Sequence, residues 1–221
     1  MKRLYLVRHG ESIQNVGINQ ELRIPDHAIY LTDKGLQQAS NAGKFFAKQF
    51  SNIDSANIVM WVSPYKRTRQ TAGAILKHIN VSKVKEDDML TELQFGIFDA
   101  IPKEKIPSLF PEDWERYQNN RKYNGKFYAR RPGGESPFDC EIRQKLFLDT
   151  LFRDIHNGCP DNIIIVGHGA ALTILRKAMF HYSHEWYAAE HNPGNCSIQS
   201  ILLDNGTNID FGYIYGSEEE N

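Results

Sequence analysis

Three short apolar segments recur along the chain, at residues 3–7, 57–63 and 162–167. They end abruptly at Arg8-His9-Gly10, at Ser63-Pro64 and at Gly167-His168-Gly169. Continuous apolar runs of this length, rich in β-branched residues, are typical of strands that are buried on both faces of a parallel sheet. We therefore predict three such strands.

Amphipathic helical patterns lie between and after these strands, and the first begins after Thr32-Asp33, a good N-cap pair. In each of the first three patterns, the apolar positions recur mainly at spacings of three and four. The first pattern contains Leu36, Ala39, Gly43, Phe46 and Phe50, and the second contains Thr71, Ala72, Ile75, Leu76 and Ile79. The third contains Ile142, Phe147, Leu151 and Ile155. A fourth pattern covers residues 170–180. Alternating strands and helices predict a three-layer α/β/α sandwich with a mainly parallel, mixed sheet.

The remaining segments complete a single domain over residues 1–215. Segments 197–203 and 209–215, separated by Asp204-Asn205-Gly206, predict a hairpin that adds an antiparallel edge. Residues 100–135 are rich in proline, aromatic and basic residues, and we interpret them as an insertion over the carboxyl-terminal edge of the sheet. Residues 216–221 are predicted to form a flexible acidic tail.

Composition narrows the classes of partner. Among 221 residues, 26 Lys and Arg face 27 Asp and Glu, a net charge of -1, so no global basic field favours nucleic acid or an anionic membrane. Three scattered cysteines without a CxxC pair argue against a disulfide scaffold or a zinc site. The first apolar run is interrupted at Arg8, too early for a signal peptide. A cytoplasmic protein is expected.

Polar residues follow the predicted strands in a distinctive way. In an open parallel sheet, ligands bind beyond the carboxyl ends of the strands, and three strands would bring Arg8-His9, the segment 63–69 and His168 to that edge. Each histidine alone is more often structural than catalytic. Two histidines with arginines in matching places favour a site for an anion.

These residues also resemble a known family. The matching strings appear in the expected order from residue 4 to about residue 200, and together they resemble the histidine phosphatase superfamily, also called the phosphoglycerate mutase-like family. The strings are Leu6-Val7-Arg8-His9-Gly10-Glu11-Ser12, Asn15, the segment from Ser63 to Ala72, Thr91-Glu92-Leu93-Gln94-Phe95-Gly96, and Gly167-His168-Gly169.

The resemblance implies covalent phosphoryl transfer, in which His9 attacks phosphorus. A neutral imidazole can do so if its other nitrogen donates to a backbone carbonyl. Arg8 and Arg67 have planar guanidinium groups suited to bidentate phosphate binding, and the resemblance adds Asn15 to the phosphate site. His168, if protonated, adds another donor.

The resemblance assigns Glu92 as the acid–base carboxylate that protonates the leaving group and then activates water. The acid-phosphatase branch of the family carries its donor as an aspartate directly after the second histidine. Here Gly169 occupies that place, so the chain resembles the branch with a glutamate donor. Asp99 and Glu11 are alternative acids of lower rank.

Within the family a phosphatase is favoured, and a cofactor-dependent phosphoglycerate mutase is the alternative. The chain is shorter than such mutases, and its segment Arg131-Pro132-Gly133-Gly134-Glu135-Ser136 resembles phosphatase-type members. A non-catalytic phospho-ligand binding protein is a second alternative, which the intact set of His9, Arg67, Glu92 and His168 disfavours.

The sequence does not identify the substrate beyond a small phosphate ester, nor the oligomeric state. Arg130 and Arg131 are candidate substrate-binding residues, because the insertion carries basic and aromatic groups that could contact a second anionic group. Arg23 and Asn195, which lie outside the insertion, are the further candidates if the insertion does not bind substrate. No metal and no cofactor are expected, since the arginines and His168 supply the positive charge.

Overall fold

The computed structural model describes residues 1–204 and 207–216, with the backbone alone described at 207–209. Its strands are β1 (Lys2–Arg8), β2 (Ile58–Val62), β3 (Lys83–Glu86), β4 (Asn162–Gly167), β5 (Ile198–Asp204) and β6 (Thr207–Tyr215). They form one sheet in the order β3-β2-β4-β1-β5-β6. The first four strands run parallel, whereas β5 pairs antiparallel with β1 and β6 pairs antiparallel with β5. The predicted mixed sheet with its hairpin edge is confirmed.

The α-helices of this part of the chain are α1 (Asn19–Leu22), α2 (Asp33–Gln49), α3 (Lys66–Leu76), α4 (Ile106–Leu109), α5 (Pro111–Tyr128), α6 (Pro137–His156), α7 (Gly169–Phe180) and α8 (His184–Ala189). Short 3-10 helices cover Asp26–Ala28, Ser55–Asn57, Asp88–Leu90, Gly96–Phe98 and Lys103–Lys105. No helix described here is long and apolar enough to cross a membrane.

Side chains of the central strands point alternately to the two faces of the sheet, and each face has its own hydrophobic core. Tyr5 and Val7 of β1 face a cluster that includes side chains of α2 and α3. Leu4 and Leu6 face the opposite cluster, which α6 and α7 cover. Successive side chains of a strand point to opposite faces, so both faces of β1 are buried, and the predicted three-layer sandwich follows.

Two predicted core positions are wrong. Leu36 is 39% exposed and Ile142 is 49% exposed. The buried face of α6 runs through Gln144, Phe147 and Leu151, and Ile142 is two residues from Gln144, roughly 200° around a helix of 3.6 residues per turn. Ile142 therefore lies on the outer face.

The insertion at residues 100–135 contains α4 and α5. Its residues Ile106, Tyr117 and Ala129 form a small core together with Phe98, which lies just before the insertion. A second cluster joins it to α7 through Phe127 and Ile174. Within α5, Gly125 has a φ of 81° and a ψ of 161° and breaks the helix, a conformation essentially restricted to glycine. The predicted acidic tail beyond Gly216 and the hairpin residues Asn205-Gly206 lie outside the described residues.

Candidate active site

His9 lies directly beyond the end of β1 and is buried. Its amide donates to the carbonyl of Gly167 at 3.0 Å, so the sheet hydrogen bonding continues to the histidine itself. The ring nitrogen Nδ1 is 2.7 Å from the carbonyl oxygen of Gly10. A carbonyl only accepts, so Nδ1 carries the proton and Nε2 keeps its lone pair.

The electrostatic surroundings of His9 favour the neutral ring. Burial lowers the pKa of His9 well below its ordinary value, and the guanidinium groups of Arg67 and Arg8 lower it further. Desolvation and nearby positive charge both penalise the imidazolium form. His9 is therefore neutral over the range in which a free histidine would become charged.

His168 follows β4 and is fully buried beside His9, with 5.3 Å between the ring centroids. Its Nδ1 accepts from Arg67 Nε at 3.2 Å, and its Nε2 is 2.8 Å from the hydroxyl oxygen of Ser63. Because Nδ1 accepts, Nε2 carries the proton and donates to Ser63. Burial, followed by Arg67, lowers the pKa of His168 well below its ordinary value. In this arrangement His168 is neutral and orients Arg67.

Both predicted phosphate-binding arginines are buried in this site. Arg8 donates from Nη1 to the carbonyl of Pro193 at 2.7 Å. Arg67 donates from Nη1 to the carbonyl and the carboxylate of Asp26, at 2.6 and 2.7 Å. Asp26 was not singled out in the sequence, where a Pro-Asp pair before a helix is an ordinary turn signal.

Glu92 is fixed at the start of α7. Its Oε1 accepts from the amides of Leu93 at 2.8 Å and Ala171 at 2.9 Å, and its Oε2 accepts from the amide of Ala170 at 3.3 Å. Backbone N–H groups at a helix N-terminus are natural partners of a carboxylate. The side chain is thereby held in one orientation at the pocket wall.

The backbone of Glu92 is held by a residue that the sequence did not reveal. Arg143 of α6 donates to the carbonyls of Met89, Thr91 and Glu92 at 2.7 to 2.9 Å. The same guanidinium forms a bidentate pair with Glu135, at 2.8 and 3.0 Å. Helical periodicity only places Arg143 on α6, and no local pattern indicates that it reaches the carbonyls of residues 89–92.

A cavity of about 280 Å³ collects these groups. Its wall includes five of the predicted site residues, namely Arg8, His9, Asn15, Arg67 and Glu92. His168 lies behind His9 and Arg67, and Asn195 donates to the carbonyl of His9 at 3.0 Å and contacts Asn15 Oδ1 at 3.4 Å. Asp99 also lines the cavity, and burial, followed by Asp26, raises the pKa of its carboxyl.

The structure places the other predicted substrate-binding residues outside this cavity. Arg23 is exposed and ends α1 in the left-handed conformation, with a φ of 49°. Arg130 is paired with Asp139 in the first turn of α6, and the distance from its Nε to Oδ2 of Asp139 is 3.0 Å. Arg131 borders two neighbouring cavities instead. Within the described chain, no group of three or more His, Cys, Asp or Glu side chains could hold a metal ion.

This combination of a mixed α/β/α sheet with two histidines and two arginines at its edge is that of a histidine phosphatase. Residues 4–209 match the model of the histidine phosphatase superfamily, branch 1. The chain belongs to this superfamily.

Relatives of the chain include mutase-like proteins and phosphatases. The chain is 35% identical over 232 residues to phosphoglycerate mutase-like protein AT74 of Arabidopsis thaliana. The matched region covers 99% of this chain and 70% of that protein. It is 32% identical over 183 residues to phosphoserine phosphatase 1 of Hydrogenobacter thermophilus, covering 81% and 75%. A solved mycobacterial glucosyl-3-phosphoglycerate phosphatase with VO3 shares the fold, with a TM-score of 0.74, 20% identity and coverage of 99% and 100%.

Proposed function

We propose that the protein hydrolyses phosphate monoesters through a phosphohistidine on His9. The observation that carries the proposal is the contact between His9 Nδ1 and the Gly10 carbonyl, which leaves Nε2 as the nucleophilic nitrogen in a cavity lined by Arg8 and Arg67. A nucleophile with fixed positive charge around the transferred group is what phosphoryl transfer requires.

In the first step the lone pair of His9 Nε2 forms a bond to phosphorus, and the bond between phosphorus and the ester oxygen breaks. Arg8 and Arg67 bind the equatorial oxygens of the transferred group, and Arg67 exchanges part of its contact with Asp26 for the phosphate. The departing alkoxide takes a proton from a carboxylic acid, the role that we assign to Glu92.

In the second step a water molecule gives its proton to the Glu92 carboxylate and attacks phosphorus. The bond between nitrogen and phosphorus breaks, inorganic phosphate leaves, and His9 returns to its neutral form with the proton still on Nδ1. Asp99 is the alternative proton carrier, because its carboxyl lines the same cavity and its pKa is raised.

The relatives named as phosphatases support hydrolysis, whereas the mutase-like name of the Arabidopsis relative keeps phosphoglycerate mutase as the alternative. A mutase returns the phosphoryl group from the histidine to a second hydroxyl, and a phosphatase passes it to water. A turnover screen over a panel of phosphate esters, run beside a mutase assay primed with 2,3-bisphosphoglycerate, distinguishes the two.

The covalent step is tested by rapid quench with a labelled ester. We expect an acid-labile, alkali-stable label on His9, and His9→Ala should lose at least ~10³-fold of the turnover. His156→Gln is the matched control, since His156 is exposed in the last turn of α6. Near-normal turnover by His9→Ala would exclude the assignment.

We also propose that the reaction requires no divalent metal, because the two arginines supply the charge that a metal would otherwise provide. Activity should survive dialysis against EDTA. Complete inactivation that Mg²⁺ or Zn²⁺ reverses would contradict this.

A further inference from the structure

The cavity that contains His9 and Glu92 is called the catalytic cavity here. A second cavity, of about 330 Å³, opens beside it. The two share Phe95, Phe98 and Ile101 as a common wall. We call the second one the basic cavity, because its wall contains Lys103, Arg121, Lys126 and Arg131 and no carboxylate. A group joined to a phosphate at His9 would therefore reach these cations by passing Phe95 and Phe98.

Among the residues that the structure describes, no carboxylate pairs with the cations of the basic cavity. Within the described chain, no ion pair involves Arg121, Lys126 or Arg131, whereas Arg130 next in sequence is paired with Asp139. Burial, followed by the charges of Arg121 and Arg131, lowers the pKa of Lys126. Glu190, which lines the adjoining cavity together with Lys126 and Arg131, is paired with Arg176. Several uncompensated cations around a cavity create a local field that attracts an anion.

Aromatic rings hold these cations in place. The guanidinium carbon of Arg131 is 4.4 Å from the ring centre of Phe95 and 5.9 Å from that of Tyr117. Arg121 lies 5.8 Å from the same Tyr117 ring, and its buried Nε has no hydrogen-bond acceptor among the described groups. Stacking on aromatic faces fixes a guanidinium while leaving its N–H donors available.

A break in α5 brings the third cation to the cavity. The non-helical φ and ψ of Gly125 redirect the chain just before Lys126. The Lys126 ammonium then lies 5.5 Å from the ring centre of Tyr187 and 3.4 Å from the carbonyl of Ala188. Without this break, the regular helix would continue through Gly125 and set Lys126 in a different direction.

We propose that the basic cavity binds a second anionic group of the substrate, so that the preferred substrates are phosphate monoesters carrying a remote phosphate or carboxylate. The proposal rests on the phosphatase reaction at His9 and names the substrate class for it. Under this proposal, Arg121 and Lys126 of the insertion contact the substrate, whereas Arg130 does not.

The test uses a series of α,ω-alkanediol bisphosphates of increasing length, each compared with its monophosphate and with the matching ω-phosphooxy carboxylate. At one spacer length, kcat/KM for a two-anion ester should exceed that of the monophosphate by about tenfold, the effect of one good charge-assisted contact. Comparison of kcat/KM between the bisphosphates and the ω-phosphooxy carboxylates identifies which anion the cavity prefers.

The combined Arg121→Gln and Lys126→Gln substitution should reduce this ratio to near one. Arg116→Gln, at an exposed position of the same helix, should leave the ratio unchanged. Equal kcat/KM for bisphosphate and monophosphate at every length, or an advantage that survives the double substitution, would overturn the proposal.

Failure of the phosphatase proposal has a different signature, which is absence of turnover of p-nitrophenyl phosphate by the intact protein. In that case the basic cavity is tested by calorimetric binding of α,ω-alkane bisphosphonates and monophosphonates to the intact protein and to the double variant. Tighter binding of a bisphosphonate that the double substitution abolishes supports the cavity. Equal affinities overturn it.

Discussion

At the scale of single residues, Glu92 and Asp99, the candidate acids that line the catalytic cavity, have different surroundings. Glu92 is held by three backbone N–H groups. Asp99 has one, from Ala100 at 3.0 Å, and burial beside Asp26 raises its pKa. Pairs of carboxyls in contrasting environments often divide the acid and base roles of a reaction, so the assignment of Glu92 needs a direct comparison.

Glu92→Gln should therefore be compared with Asp99→Asn on two esters. Loss of a general acid costs about 10²- to 10⁴-fold when the leaving group is a poor one, so Glu92→Gln should slow an alkyl phosphate by at least ~10²-fold more than p-nitrophenyl phosphate. Asp99→Asn should slow both esters about equally. The reverse pattern would transfer the acid role to Asp99.

Local order along the chain revealed some of these residues and not others. Arg8, His9 and His168 could be predicted to meet because each directly follows an apolar run, and parallel strands end at the same edge. Asp26 and Arg143 could not, because their significance comes from partners more than 40 positions away, at Arg67 and at the carbonyls of residues 89–92. Arg130 is predicted to bind substrate from its charge, because the sequence does not show that Asp139 pairs with it.

At the scale of elements, α6 acts on the site through Arg143, which holds the segment that carries Glu92. Arg143→Lys keeps the charge but loses the planar group that reaches three carbonyls and Glu135 at once. We expect kcat for an alkyl phosphate to fall about tenfold, which corresponds to the loss of about one charge-assisted contact, with KM changed far less. p-Nitrophenyl phosphate should be less affected, because its leaving group needs little protonation.

Arg153→Lys is the control for this helix, since Arg153 is exposed and its guanidinium donates to Thr150 Oγ1 at 3.2 Å, its one side-chain hydrogen bond among the described residues. Equal losses for both esters, or a loss confined to thermal stability, would mean that Arg143 supports the fold and does not position Glu92.

Elements with a strong hydrophobic signal were predicted and elements without one were missed. The central strands are uninterrupted apolar runs, so the sequence predicts both that they exist and that they are buried on both faces. Strand β3 is Lys83–Glu86, a mostly exposed edge segment with one apolar residue, Val84, and it gives no such signal. Helix α5 was also missed, because its buried residues Tyr117 and Phe127 are separated by the break at Gly125.

At the scale of the whole molecule, two buried neutral histidines make stability depend on pH. The pKa values of His9 and His168 are lowered in the folded chain, whereas both return to about 6.5 on unfolding. At pH values between the folded and the unfolded pKa, the unfolded chain binds more protons than the folded chain. The free energy of unfolding should therefore decrease as pH falls below about 6.5, by up to about 1.4 kcal/mol per pH unit for each histidine.

Urea denaturation between pH 5 and 7 measures this slope. His9→Asn should remove about half of the contribution of the two histidines, and His156→Gln should remove none of the contribution from buried histidines. A slope that is identical in wild type and His9→Asn would show that His9 is protonated in the folded protein.

The register between β1 and β4 pairs Arg8 with Gly167, so the residues that follow, His9 and His168, leave the sheet at the same height. Their separation is set by main-chain hydrogen bonds of the most buried strands, and amide exchange at His9 should be among the slowest in the protein. The insertion, which we propose to contact the substrate, does not set that separation. We therefore expect that substitutions in α5 change which ester is accepted while Nε2 of His9 keeps its place. Such an arrangement allows one chemistry to diverge over many substrates.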